Sequence, residues 1–143
     1  MTRRHIGLIS DTHGLVRPEA LRAFQGVEAI IHAGDIEDPA TLTTLRAIAP
    51  VTAVRGNVDT ARWARRLPST AVLELDPGRV YVLHALRDLA IVPEMAGITV
   101  VVSLSRSCSS PVTLGMSLIW AFGMVARSRS ATISASVMRA VAA

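Results

Sequence analysis

The chain has no lysine, a single cysteine (Cys108), five aromatic residues in 143, and no acidic residue after Glu94. One cysteine excludes a disulfide scaffold and fits a reducing cytoplasm, the expected location. Few aromatics and no lysine argue against a nucleic-acid surface, which more often mixes lysine with arginine and interleaves stacking rings. All fifteen basic residues are arginine, which points to a GC-rich coding sequence rather than to a binding face. What is present is apolar: 50% of the residues are hydrophobic and 18% charged. That composition excludes a highly charged disordered chain, and the length suits one globular domain with a sizeable core.

The formal charge of +4 is unevenly placed. Eleven acids lie between Asp11 and Glu94 and are balanced by eleven arginines from Arg3 to Arg87. The other four, Arg106, Arg127, Arg129 and Arg139, stand in an acid-free stretch that holds ten of the twelve serines. The excess charge therefore belongs to the tail and says little about partners; no specific nucleic acid is expected. The N-terminal apolar run meets Asp11 too soon for a signal peptide. Residues 107–126 are uncharged and long enough to span a bilayer. They begin Ser107-Cys108-Ser109-Ser110-Pro111, however, which is not a lipid-facing composition, so no membrane span is expected. A weaker alternative takes Ile119-Trp120-Ala121-Phe122, between arginines, as a membrane-surface or partner-binding segment.

Short apolar runs alternate with helical spacing in the first part of the chain. Residues 6–10 read as a buried strand, and residues 17–24 as a helix with Pro18 in its first turn. Residues 29–32 form the next strand, broken by Gly34-Asp35, and Leu42, Leu45 and Ile48 mark a helix over 38–48. A third strand at 51–54 ends in Gly56-Asn57, and residues 60–67 form a helix or irregular crossing. This alternation predicts an α/β fold with a parallel sheet and right-handed crossovers. After Pro68, residues 70–75 and 79–84 flank Asp76-Pro77-Gly78 as a hairpin, and residues 98–103 form a last β-branched strand. Beyond that strand no clear period is found.

Each of these strand ends carries a polar group able to bind metal. Asp11 and His13 follow the first strand, Asp35 the second and Asn57 the third, while His84 closes the hairpin. The carboxyl ends of parallel strands face one crevice, so these groups would converge there. Two carboxylates, two imidazoles and an amide oxygen suit Mn²⁺, Fe or Zn²⁺ better than a Ca²⁺ cage. Alone, an Asp-Thr-His or a Gly-Asp is common in turns, and its aspartate could simply cap a helix. Three such signals in order, each directly after a buried strand, are harder to read as caps. His32 is expected to pack or support a ligand, His5 to be an exposed strand-entry residue, and Asp59 to orient the Asn57 loop. Arg62, Arg65 and Arg66 read as a solvated face, and Trp63 lacks partners for a stacking platform.

The segments Ile9-Ser10-Asp11-Thr12-His13-Gly14, His32-Ala33-Gly34-Asp35 and Val54-Arg55-Gly56-Asn57-Val58-Asp59 resemble the calcineurin-like metallophosphoesterases, in particular the small bacterial and archaeal phosphodiesterases. The resemblance covers residues 4–103 and implies an αββα sandwich with an altered or truncated C-terminal part. It implies a dinuclear centre in which Asp11 and His13 hold one ion, Asp35 bridges, and Asn57 with His84 hold the other. It further implies divalent ions, Mn²⁺ foremost, and hydrolysis of a small phosphodiester or phosphomonoester; a homo-oligomer is left open. Where the family has Gly-His-x-His, this chain has Ser103-Leu104-Ser105-Arg106, so both imidazoles are absent. Ala85 follows His84 where glycine is usual, and the Asn57 loop lacks the histidine many relatives carry. These losses predict weakened metal sites, and their alternative reading is a catalytically inactive binding or structural protein. Codons for Ser103-Leu104-Ser105-Arg106 can be chosen so that a one-base shift reads His-Ser-His. The expectation is therefore a core over 1–103 and a Ser/Arg-rich tail over 104–143 that is a frame-shifted reading of a normal C-terminal part; a diverged tail with its own packing role is the alternative.

Overall fold

The computed structural model describes residues 5–75, 78–104, 117–121, 124–128 and 138–140. The expected alternation appears as β1 (Ile6–Ile9), α1 (Pro18–Ala23), β2 (Ala29–His32), α2 (Pro39–Arg46) and β3 (Val51–Ala53). Pro18 opens α1, where a missing N–H costs nothing. Asp38 caps α2 by accepting a hydrogen bond from the Ala40 amide at 2.8 Å, so the helix starts one residue after its expected beginning. The expected crossing at 60–67 contains a short 3₁₀ turn, Ala64–Arg66. The hairpin is present as β4 (Thr70–Leu75) and β5 (Gly78–Leu83), paired antiparallel with Leu75 opposite Gly78. The strand β6 (Val100–Leu104) follows.

Three further strands lie in the tail, β7 (Ser117–Ala121), β8 (Met124–Ser128) and β9 (Met138–Ala140). β7 and β8 pair antiparallel, with Ala121 opposite Met124. Of the uncharged stretch 107–126, the described residues are in these strands. No helix among the described residues is long and apolar enough to cross a membrane. Cys108, Arg106 and the junction over 105–116 lie outside the described residues.

The strands form two sheets. One runs β3-β2-β1-β9 and is wholly parallel; the other runs β4-β5-β6-β8-β7 and is mixed. Side-chain alternation explains how they stack. Ile6, Leu8, Ile31, Ala33 and Val54 of the parallel sheet meet Val80, Val82, Val100 and Val102 of the mixed sheet in one buried cluster. The residues between them point the other way: Ile9 and Ile30 pack with Phe24 and Ala20 of the α1 region and Leu45 of α2. On the far side of the mixed sheet, Tyr81, Leu83, Ile98 and Val101 are covered by Leu86, Leu89 and Ile91. Both faces of the central strands are thus buried, which is why the strands read as continuous apolar runs rather than as alternating ones. The outcome is the expected layered α/β sandwich of two sheets with few helices. Its first sheet directs the carboxyl ends of β1, β2 and β3 to one edge.

Candidate metal centre

The loops after β1 and β2 are laced together before any side chain is considered. The Asp11 amide donates to the Gly34 carbonyl at 3.0 Å, His13 to Asp35 at 3.2 Å and Gly14 to Ile36 at 2.8 Å. To do this, Asp11, His13, Asp35 and Glu37 all take positive φ, at 52°, 46°, 58° and 63°. A residue with a Cβ pays about 1–2 kcal/mol in that region. Four in two short loops mark strain held by its surroundings, a pattern that clusters at functional sites.

Asp59 supplies much of that hold. Its buried carboxylate accepts from the amides of Asp35 at 3.0 Å, Ile36 at 2.8 Å, Glu37 at 2.8 Å and Gly56 at 2.8 Å. It therefore orients the Asn57 loop, as its position suggested, and also ties that loop to the one after β2. Gly34 and Gly56 meet at this junction. A Cβ on Gly34 would lie 2.8 Å from the Gly56 Cα and from His84 Nδ1, and one on Gly56 would overlap the Asp35 carboxylate. Only bare backbone lets the two loops close to this distance.

His32 adds a second tie. It is fully buried, and burial pushes its pKa down to about 4, so the ring is neutral. The Gly34 amide donates to Nδ1 at 3.2 Å, which places the proton on Nε2, 3.0 Å from the Thr12 hydroxyl. This is the supporting role expected of it. His5, in contrast, is half-buried rather than exposed. Arg62, Arg65 and Arg66 are exposed, in line with a solvated face.

Two groups of donor atoms form on this frame. Asp11, His13 and Asp35 each place one ligand atom within 4.8 Å of the others. Asp35 also lies 3.5 Å, through Oδ2, from Nε2 of His84, which in turn is 2.9 Å from Oδ1 of Asn57. The Nδ1 atom of His84 faces the Ala33 carbonyl at 2.8 Å, and a carbonyl only accepts, so Nδ1 carries the proton. In the neutral ring Nε2 then presents a lone pair to two acceptor oxygens. Deprotonated, that nitrogen joins the Asp35 and Asn57 oxygens as a converging donor set that fits a cation. Asp35 fits it as well: burial is the main influence raising its pKa, a desolvation cost that a neighbouring cation would offset. All five residues singled out in the sequence, Asp11, His13, Asp35, Asn57 and His84, are brought to one edge. Asp35 is buried and common to both groups, whereas His13 and Asn57 are exposed.

Three participants were missed. Glu37 places Oε1 3.0 Å from Nδ1 of His13, a hydrogen bond that is the main cause of the raised His13 pKa. Thr12 is the buried partner of His32. Nothing local in the sequence marks Glu37, because its role depends on a positive φ. Ser10 donates to Asp11 Oδ2 at 2.6 Å and so steadies that carboxylate.

Comparison with known proteins bears on the family and the fold. Residues 5–103 match the calcineurin-like phosphoesterase superfamily domain. A protein named "Probable metallophosphoesterase" from Methanothermobacter thermautotrophicus is 43% identical over 84 residues, 55% of this chain and 48% of its own. Another so named, from Methanocaldococcus jannaschii, is 39% identical over 84 residues, covering 55% of this chain and 42% of its own. The chain thus spans about half the length of these curated relatives. Among solved structures, vacuolar protein sorting 29 from Cryptosporidium parvum superposes with a TM-score of 0.57 at 15% identity, over 84% of this chain and 70% of that one. Vps29 from Chaetomium thermophilum does so with a TM-score of 0.51 at 24% identity, over 62% of this chain and 50% of that one. These structural likenesses speak to the fold alone. With a family match over residues 5–103, more than half of its length, the chain belongs to the calcineurin-like phosphoesterase superfamily.

Proposed function

We propose that the chain hydrolyses a phosphate ester, preferably a small phosphodiester, with divalent ions, Mn²⁺ foremost, held at this edge. The observation that carries the reading is the pair of donor groups joined by Asp35. Asp11, His13 and Asp35 would hold one ion, and Asp35, Asn57 and His84 a second. Ions bound there supply Lewis-acid polarisation of the phosphoryl oxygens and bring the pKa of water toward neutrality. The chain's own part is to keep the donors rigid. Asp59 fixes the backbone of both loops, the Ala33 carbonyl holds the His84 ring with Nε2 inward, and Ser10 aims Asp11. None of the five donors is asked to act as a nucleophile.

A second reading is a non-catalytic protein that binds one ion or a phosphate. It is favoured by Leu104 and Arg106 standing where the family has imidazoles, which lowers the ligand count and hence metal affinity. We further propose that residues 1–103 are the working core and that the tail over 104–143 is a frame-shifted reading; a gene sequence with no His-x-His codons in any frame around Leu104 would refute the latter.

Hydrolysis of an aryl phosphodiester with added Mn²⁺, measured for the parent chain and for Asp35→Asn, tests the enzyme reading. Turnover in the parent is expected to fall at least about 100-fold in the variant, since even groups supporting a metal ligand commonly matter 10- to 100-fold. No turnover in the parent would favour the non-catalytic reading, and equal turnover in both would remove the proposed site.

A further inference from the structure

We infer that Glu37 is a positioning residue: its carboxylate accepts the Nδ1 proton of His13, so that the ring offers Nε2 to a cation. The inference rests on the metal-site reading above. Its geometry is direct, with Oε1 of Glu37 3.0 Å from Nδ1. Both residues have positive φ, and the backbone of each is clamped, His13 by the Asp35 carbonyl at 3.2 Å and Glu37 by Asp59 at 2.8 Å. The fold thus accepts backbone strain at two non-glycine positions whose side chains meet. A carboxylate only accepts, so contact with it selects the tautomer protonated at Nδ1 and leaves the lone pair on Nε2. A free neutral imidazole is under no such constraint and can rotate. His84 achieves the same selection through the Ala33 carbonyl. The two imidazoles near Asp35 are therefore both left with Nε2 as the free ring nitrogen, one held by main chain and one by Glu37.

The pair is half-exposed, with side chains at 49% and 45% of full accessibility. An exposed pair contributes little to folding. Removing Glu37 should therefore act on the ring and leave the fold in place.

The test has two arms on the full chain. In the first, ¹⁵N-histidine NMR of the metal-free protein at pH 8 reads the tautomer of each of its four imidazoles, with His13 assigned by loss of its signals in His13→Asn. The parent should show His13 protonated at Nδ1. Glu37→Ala should move it to the Nε2-protonated or mixed form, and Glu37→Gln, whose amide oxygen still accepts, should restore it. In the second arm, titration calorimetry with Mn²⁺ alone should show affinity falling about 10- to 100-fold in Glu37→Ala and largely recovering in Glu37→Gln. An unchanged His13 tautomer in Glu37→Ala overturns the inference. So does Glu37→Gln binding Mn²⁺ as poorly as Glu37→Ala, which would make Glu37 a ligand in its own right. Mn²⁺ binding that is the same in the parent and in Asp35→Asn sinks the metal-site reading instead, and the first arm still decides whether Glu37 controls the ring.

Discussion

The neutral, fully buried His32 makes stability depend on pH. Its pKa drops from the ordinary 6.5 to about 4 on folding, so the unfolded chain binds more protons between those values. Stability is therefore present in full above pH 6.5, is lost as the pH falls toward 4, and loses nothing further from this group below that. The expected loss is on the order of 3 kcal/mol, from 1.36 kcal/mol per pKa unit. His32→Asn should lower the thermal midpoint at pH 7 yet flatten its pH dependence between 6.5 and 4; a slope like the parent's would assign acid sensitivity elsewhere. Asp59 carries a different burden. With four amides on one carboxylate, Asp59→Ala leaves buried donors unpaired at about 1–3 kcal/mol each, before relaxation. Thermal unfolding should show a large drop, and Mn²⁺ binding should fall with it because the loops bearing Asp35 and Asn57 lose their common anchor.

At the scale of elements, the proposed metal site depends on how closely the loops after β2 and β3 approach. Gly56→Ala would push a methyl into Asp35, the residue common to both donor groups. We expect it to cost about 1–3 kcal/mol, the range for overpacking, and to abolish Mn²⁺ binding measured by calorimetry. Retained binding would show that the loops can part without disturbing the donors. The elements themselves were largely visible in the sequence, because buried strands and proline-led helices are local patterns: Ile6 to Ile9, Ala29 to His32, and Pro18 opening α1. The tail strands were not visible. β7 and β8 lack an alternating pattern, and β8 joins the sheet by pairing with β6, with β7 outside it, which is a non-local matter. Helix ends shifted by a residue or two where a cap such as Asp38, rather than the apolar period, decides the boundary.

For the whole molecule, the cluster between the sheets determines whether it folds as one unit. Leu8 lies in that cluster at 2% exposure, among valines contributed by the other sheet. Leu8→Ala should cost about 2–5 kcal/mol. Because both sheets share the core, urea unfolding of parent and variant should each show a single transition by circular dichroism and by tryptophan fluorescence. Two separated transitions would mean that the sheets fold independently.

Taken by itself, the sequence determined the α/β class, the strand ends that bear Asp11, His13, Asp35, Asn57 and His84, and the supporting parts of His32 and Asp59. All of these follow from local apolar runs and from polar residues at their ends, which a linear reading can detect. Only the tertiary structure decided that Asp35 faces both His13 and His84, that Asp59 holds four amides from two loops, and that Glu37 meets His13. Apart from the local Gly56 contact of Asp59, those relations join residues more than twenty positions apart, and the loop after β2 enters each through backbone of positive φ. Aspartate and histidine tolerate that conformation better than most residues but do not require it; here it is imposed by the loops' mutual hydrogen bonds.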